Sequence, residues 1–328
     1  MSRIRWGIVG TGGIASAFAR DAEHAANAEV VAVGSRSDES AAAFAQTYGI
    51  ERSHGSYDAL YADPEVDAVY VATPHTLHTE NSAAALRAGK AVLCEKPLTV
   101  TPAESRALLD VARETGGYLA EAMWTHFLPA VQTAREWVET GRIGQILHLK
   151  ADFGYEQPYD PDSRLFSPGL AGGVLLDMGI YPVALAWWFL REHPEAISAV
   201  AHRAPTGVED DFVARFDYAS GAVATLSSSF RCTLPNTAYV IGDEATIRIP
   251  DFFRARSCEL LHGDDQLDAF EDGRDGLGYE FQIEAVSADV RAGRQQSEVV
   301  PWEASLAFQD HMARVFDEIG GRTPVSDA

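Results

Sequence analysis

Up to about residue 120 the chain alternates short, continuously apolar runs with alanine-rich stretches of helical spacing. Ile4–Val9, Val30–Gly34, Ala68–Ala72, Ala91–Glu95 and Tyr118–Ala120 read as strands. Ile14–Ala26, Glu39–Tyr48, Thr79–Ala88 and Pro102–Glu114 read as helices. Strands that are apolar throughout, rather than at alternate positions, are buried on both faces, as in a parallel sheet covered by helices. Regular βα alternation with right-handed crossovers predicts a doubly wound fold. Thr101 before Pro102, with Glu104 three residues on, is a helix start with its own cap.

After about Met123 the rhythm changes. A helix near Leu128–Glu139, a strand around Gln145–Phe153 and a Pro/Gly-rich loop through Gly169 lead into an apolar helix over Gly173–Leu190. From Ile197 to about Phe270 the chain reads as successive strands with turn punctuation, such as Ala214–Tyr218, Ser220-Gly221, then Val223–Phe230. Helices over Tyr279–Arg291 and Glu303–Glu318 close it. The pattern predicts an α/β protein of two domains. Residues 1–123 form a Rossmann domain with a doubly wound parallel sheet. Residues 124–328 form an α+β domain with a large, mainly antiparallel open sheet.

Composition changes this picture only at its edges. The chain has 328 residues, beyond the ~250–300 at which single cores stop growing. Its longest apolar run, Tyr181 to Leu190, is about half of what a membrane span needs and reads as a buried helix. Met1 to Gly10 enters a strand directly, without the basic and apolar regions of a secretory signal. Three scattered cysteines, Cys94, Cys232 and Cys258, suit a reducing compartment, so the expected location is the cytoplasm. The net charge of −22, from 26 basic and 48 acidic side chains, repels phosphate backbones and anionic lipid. Nucleic-acid and membrane partners are not expected.

Gly10-Thr11-Gly12-Gly13-Ile14-Ala15 is a G-x-G-x-x-A fingerprint between the first strand and the first helix. Gly10 permits the tight turn, Gly12 lets backbone approach a pyrophosphate seated on the helix N-terminus, and Ala15 lets that helix pack closely on the sheet. An NAD enzyme usually carries Asp or Glu ~20 residues on, against the ribose 2′-hydroxyl. Here the second strand ends in Gly34-Ser35-Arg36-Ser37. No carboxylate stands there to repel a 2′-phosphate, and Arg36 offers it a charged, planar fork, with Ser35 and Ser37 as hydroxyl donors. The expected cofactor is NADP(H). The competing reading makes Arg36 a surface residue and Ser37 a helix cap.

Glu95-Lys96-Pro97 closes the fifth strand, where ligands bind in doubly wound sheets, so Lys96 should face the nicotinamide. Thr73-Pro74-His75-Thr76-Leu77-His78 follows the fourth strand. Leu176-Asp177-Met178-Gly179-Ile180-Tyr181 opens the apolar helix. With Cys94-Glu95-Lys96-Pro97 and Glu121-Ala122-Met123-Trp124-Thr125, these segments resemble the glucose–fructose oxidoreductase / inositol dehydrogenase family along essentially the whole chain. Within the family, Glu121-Ala122-Met123-Trp124-Thr125 and Leu176-Asp177-Met178-Gly179-Ile180-Tyr181 are similar to the dimeric dihydrodiol dehydrogenase and NADP-dependent xylose dehydrogenase branch and to glucose–fructose oxidoreductase itself. Inositol dehydrogenases carry histidine where Tyr181 stands and usually an acid where Ser35 stands.

The resemblance implies a dehydrogenase for a sugar, polyol or cyclic vicinal diol, with Lys96 and Tyr181 as the catalytic pair. Oxidising a hydroxyl releases a proton as the hydride leaves. An unperturbed phenol, with a pKa near ~10, is a poor base for it, and a neighbouring ammonium lowers that pKa. Asp177 lies four residues before Tyr181, which on a continuous helix puts both on one face, to bond a substrate hydroxyl or balance Lys96. Pro182 threatens a kink beside Tyr181. The resemblance places Thr73, Pro74, His75 and Glu95 by the cofactor, and makes His78 structural; His75 and His78 lack the partner set of a metal site. Trp124 and Phe153 are read as walls of the substrate pocket, with core packing the alternative for Phe153, and Trp187, Trp188 and Phe189 as core. A non-catalytic NADP-binding redox sensor is the rival reading, but such a protein needs neither Lys96 nor Tyr181. The resemblance, with a sheet covered on one side, points to a homodimer or a dimer of dimers.

Overall fold

The computed structural model describes residues 3–321. The chain divides into two compact units, residues 1–124 with 274–306, and residues 125–273 with 307–328.

The first unit opens with β1 (Ile4–Val9), α1 (Gly13–Asp21), β2 (Ala28–Gly34), α2 (Asp38–Tyr48), β3 (Arg52–His54) and α3 (Tyr57–Tyr61). It continues with β4 (Ala68–Val71), α4 (His78–Arg87), β5 (Ala91–Glu95), α5 (Pro102–Thr115) and β6 (Leu119–Ala122). All six strands are parallel, in the order β3-β2-β1-β4-β5-β6. Every residue of β4, β5 and β6 is buried, as continuous apolar runs require. The order reverses between β1 and β4, and the loops leaving those two strands flank the switch point where such sheets bind ligands. The Thr101 hydroxyl caps α5 and Glu104 reaches back to close the capping box. The pattern of apolar residues did not register β3 and α3. A three-residue edge strand reading Arg-Ser-His has no apolar signature, and α3 is a single turn capped by Ser56.

The second unit begins with α6 (Pro129–Glu139) and β7 (Ile146–Gly154), then a long loop, then α7 (Ile180–Leu190). Seven strands follow: β8 (Ala196–Arg203), β9 (Glu209–Asp217), β10 (Val223–Ser229), β11 (Ala238–Gly242), β12 (Thr246–Ile249), β13 (Ser257–His262) and β14 (Asp265–Glu271). They join β7 in one eight-stranded sheet, order β14-β13-β12-β11-β7-β10-β9-β8, in which only β7 and β10 run parallel. On β9, Phe212, Ala214 and Phe216 point into the core, and Val213 and Arg215 point away. That open face is mixed in character. Val200 and Val213, paired in register and 71% and 45% exposed, sit on a face that also carries Lys150 and Arg215.

The stretch Pro168–Leu190 is long and apolar enough by length and composition to cross a membrane, which counting the unbroken apolar run missed. Most of it is buried inside this unit, and it is a core helix. It is also not one continuous α-helix. Leu175–Gly179 is a π-helical turn that ends just before Tyr181-Pro182, the kind of widening that accommodates a proline's missing N–H. Four residues then span slightly less than one turn instead of slightly more, so Asp177 and Tyr181 still share a face. Gly179 lets the helix sit on β9, since a Cβ there would come within 2.6 Å of the Phe212 ring.

Residues 274–306, which the change of rhythm alone assigns to the second domain, pack with the first unit. They carry α8 (Tyr279–Arg291) and the start of α9 (Trp302–Glu318), whose remainder belongs to the second unit. Buried Asp21, at the end of α1, accepts the N–H groups of Gly278 and Tyr279 at 2.9 and 3.0 Å and so caps α8 from across the chain. The Trp6 indole donates to Ser287 at 3.0 Å, and the Trp302 indole to the Leu119 carbonyl at 2.9 Å. None of these bonds has a local sequence signature.

Candidate active site

In the first unit, β1 delivers Gly10 to the switch point with φ +104°, and a Cβ there would lie 3.0 Å from the Ala72 carbonyl oxygen. Glycine alone satisfies both the left-handed backbone and that approach. Gly12 is the N-cap of α1 and supplies no side-chain cap, and no acid lies in the first turn. A Cβ at Gly12 or Gly13 would meet nothing within 4 Å, so open space fronts the helix N-terminus. Thr11 and Ile14 are half-buried at its rim, and Ala15 is fully buried against the sheet. A dinucleotide pyrophosphate fits this cradle of unfilled volume, unused amides and a favourable helix dipole.

At the end of β2, Ser35 is buried and donates its N–H to the His54 carbonyl at 3.0 Å, while Arg36 is exposed. Burial raises the Tyr57 phenol's pKa, and the positive charge of Arg36 opposes that rise, which puts the two side chains within electrostatic reach. The Ser37 hydroxyl accepts the Ser40 N–H at 3.2 Å and caps α2. After β4, the buried Thr73 hydroxyl oxygen has no hydrogen-bond partner among the described residues. Pro74 is exposed, and His75 is half-buried in a short 3₁₀ turn, its ring 5.6 Å from that of His78. Fully buried His78 places Nδ1 2.8 Å from the Pro97 carbonyl and Nε2 2.9 Å from the Thr73 carbonyl, tying this loop to the turn after Lys96.

At the end of β5, buried Glu95 accepts the Tyr70 hydroxyl and, at 3.1 Å, the N–H of half-buried Lys96. Trp124 is buried with one face stacked on Tyr279 at 4.6 Å, so α8 covers part of the ring that the motif alone leaves open.

In the second unit, Tyr181 lies 7% exposed near the start of α7. Its ring meets Phe153 edge to face at 5.2 Å and Phe253 at 6.2 Å. Phe153, at the end of β7, stacks on Phe253 at 4.2 Å, and Tyr155 stands edge-on to both. Neither Tyr155 nor Phe253 lies in a motif that marks it in the sequence. The Phe252-Phe253 doublet after Pro250-Asp251 is the only signal for the latter, and a doublet of this kind usually reads as core. Asp177, largely buried, accepts the guanidinium of Arg164 at 2.9 Å from the preceding loop. Buried Glu209 accepts the Leu175 N–H at 3.2 Å and anchors the entry to the π-helical turn. A hydroxyl in an aromatic wall, with a paired carboxylate on the same helix face, suits a polyhydroxylated or cyclic substrate.

Two family models match the chain: an oxidoreductase family with an NAD-binding Rossmann fold over residues 4–122, and the GFO/IDH/MocA C-terminal domain over residues 131–248. The trans-1,2-dihydrobenzene-1,2-diol dehydrogenase of Mus musculus is 36% identical over 326 residues, covering 96% of this chain and 95% of that protein. Its Homo sapiens counterpart is 33% identical, with 98% of each covered. Among solved structures, a 3-ketoreductase from Actinomadura kijaniata in complex with NADP has a TM-score of 0.86 at 28% identity, covering 97% of this chain and 98% of that one. That reductase is also known as lysine-to-alanine and tyrosine-to-phenylalanine variants. On both models, and on identity above 30% across nearly its whole length, this chain belongs to the GFO/IDH/MocA family of nicotinamide-dependent oxidoreductases.

Proposed function

We propose that the chain is an NADP(H)-dependent dehydrogenase acting on a hydroxyl or carbonyl of a sugar, polyol or cyclic vicinal diol. The setting of Tyr181 carries this reading: a nearly buried hydroxyl among Phe153, Phe253 and Tyr155, with Asp177 on its helix face. Tyr181 exchanges the proton of the reacting hydroxyl. Lys96 lowers the phenol's pKa by favouring the phenolate. Asp177, oriented by Arg164, accepts a second hydroxyl of the substrate, and Trp124 and Phe153 face its apolar side. Relatives named for a trans-diol of a six-membered ring speak for the diol substrate class, and a related reductase is known with one lysine and one tyrosine replaced in turn.

Gly10, Thr11, Gly12, Gly13, Ile14 and Ala15 hold the pyrophosphate, Ser35 and Arg36 the 2′-phosphate, and Thr73, Pro74, His75, Glu95 and Lys96 the nicotinamide side. When bound, the nicotinamide takes up or gives the hydride. Exposed Arg36 and the missing carboxylate at the end of β2 support NADP over NAD. We place the protein in the cytoplasm as a homodimer. Incubation with NADP+ and a panel of aldoses, polyols and trans-diols, followed by nicotinamide absorbance, tests the reading. No turnover of any member, whether oxidised with NADP+ or, as the matching carbonyl compound, reduced with NADPH, would overturn it.

A further inference from the structure

Glu121 has no part in the chemistry above, yet it is a carboxylic acid buried to 1% exposure beside the catalytic turn. The β5–β6 register sets Glu121 opposite Cys94 and Ala122 opposite Glu95. From β6, Glu121 Oε1 accepts the N–H of Leu98 at 2.7 Å, two residues past Lys96. From β5, Glu95 Oε2 accepts the N–H of Lys96 itself at 3.1 Å. The turn that presents Lys96 is therefore held at both ends by buried carboxyl groups from adjacent strands.

The two carboxyls are not equivalent. Glu95 has donors on both oxygens, from Tyr70 and Lys96. Glu121 Oε2 is buried and has no partner of good hydrogen-bond geometry among the described residues, the Ser305 hydroxyl being the one side-chain donor that acts on this carboxyl. A buried carboxylate oxygen so weakly supported is disfavoured, whereas a neutral acid carries its own hydrogen there. Burial, and then the charge of Glu95, push the Glu121 carboxyl up to about 7, while the Ser305 hydroxyl, the Leu98 N–H and Lys96 pull the other way. Burial likewise raises the Cys94 thiol, with help from both glutamates, so that group stays neutral.

We propose that Glu121 is a positioning residue for Lys96: as a neutral acid it fixes the turn, and on losing its proton to solvent it sets a negative charge behind the ammonium. That charge offsets the positive potential Lys96 offers the reacting hydroxyl. The rise in oxidation rate with pH, as phenolate forms, is then blunted. This inference rests on the reading of Lys96 as the cationic partner.

The test uses the whole protein with NADP+ and trans-cyclohexane-1,2-diol. Glu121→Gln keeps an acceptor for Leu98 and cannot ionise. Its turnover at about pH 8.5 relative to about pH 6 should exceed the wild-type ratio by roughly 3–10-fold, the effect of a charge shifting a neighbouring pKa by up to about one unit. The carbonyl stretch of a buried protonated carboxyl should titrate near neutrality in the wild type and be missing from Glu121→Gln, a readout that needs no turnover. Glu121→Leu should lower kcat at every pH and leave the KM for NADP+ unchanged. Superimposable pH profiles for wild type and Glu121→Gln, or no carboxyl titrating near neutrality, would overturn the proposal. Full turnover by Lys96→Met would instead overturn the reading of Lys96 beneath it.

Discussion

Arg36 stands where a dinucleotide enzyme reads the adenosine ribose, and the sequence marks it by what is missing as much as by what is present. Arg36→Ala should cost about 1.5–3 kcal/mol of NADP binding through lost charge-assisted hydrogen bonds. NAD binding should hardly move, and calorimetric titration of both cofactors separates the cases. Equal weakening would mean Arg36 does not read the phosphate. Tyr181→Phe removes only a hydroxyl and keeps the ring against Phe153 and Phe253. Turnover should fall by roughly 10²–10⁴-fold, the worth of a positioned proton donor, with thermal stability and NADP affinity preserved. Lys96→Met should also cripple turnover, and the double variant should be far from additive, since the pair acts as a unit. Near-normal turnover of Tyr181→Phe would sink the mechanism. Glu121 adds a stability effect whose sign follows from its raised pKa. The unfolded chain ionises it near its ordinary 4.5 and the folded protein only at about 7, so its stabilising contribution is whole below the unfolded value and lost as pH rises through the folded one. Glu121→Gln should therefore gain on the wild type above neutral pH, by on the order of 3 kcal/mol at most, as chemical denaturation at two pH values would show. Lys96, Tyr181 and Arg36 stand out in the sequence as candidates because their motifs are short and local. Tyr155, Phe253 and the stack of Tyr279 on Trp124 do not, because an aromatic in a loop looks the same on the page whether it lines a pocket or fills a core.

Among the elements, the helix bearing Asp177 and Tyr181 departs most from its sequence reading. The apolar pattern predicts one continuous helix, and the structure instead has a π-helical turn before Pro182. Gly179 is the tightest point. Gly179→Val would drive a branched side chain into Phe212 and should cost roughly 1–3 kcal/mol of stability by overpacking, displacing Tyr181 and lowering turnover further than the stability loss explains. An unchanged denaturation midpoint would show that the helix has room. Helix α8 makes the complementary case. Its N-terminus is capped by Asp21 from the end of α1 rather than by Gly278 beside it. Asp21→Ala should cost about 1 kcal/mol, the usual value of a cap, with faster hydrogen exchange at the first turn of α8. A cap supplied from some 257 positions away in sequence leaves no local pattern for a reader of the chain to find.

For the molecule as a whole, the open face of the eight-stranded sheet is where self-association is expected. The exposed Val200–Val213 pair is small, and the charged and polar residues around it make a mixed face. Light scattering at micromolar concentration should give a dimer mass, and Val213→Glu should shift it toward monomer through the cost of burying an unpaired charge. A monomer mass for the wild type would count against the homodimer. Acid should weaken the fold through two buried histidines. Burial, ahead of nearby arginines, pulls His126 down to about 3, and burial, ahead of His193, does the same for His311. Both are held neutral in the native state and gain protons readily only when unfolded. Stability is complete above the ordinary histidine value of 6.5 and declines as pH falls from there toward about 3. Urea midpoints should drop over that window, and His126→Phe should flatten the decline.

The sequence by itself determined the parallel sheet, the glycine cradle and the cofactor class. Each is written in contiguous residues whose local geometry follows from hydrophobic period, turn chemistry and helix-terminus electrostatics. The catalytic candidates came instead from the family resemblance of short motifs. Only the tertiary structure decided that residues 274–306 return to the first unit, that the open sheet face is mixed, and that the helix of Tyr181 widens into a π-turn. It also decided that Glu121, an ordinary acid in a short strand, is buried, with one oxygen lacking a well-placed partner among the described residues. These outcomes depend on which distant groups meet, since burial and hydrogen-bond partners are set across the sheet and between helices, at separations no window on the chain can span.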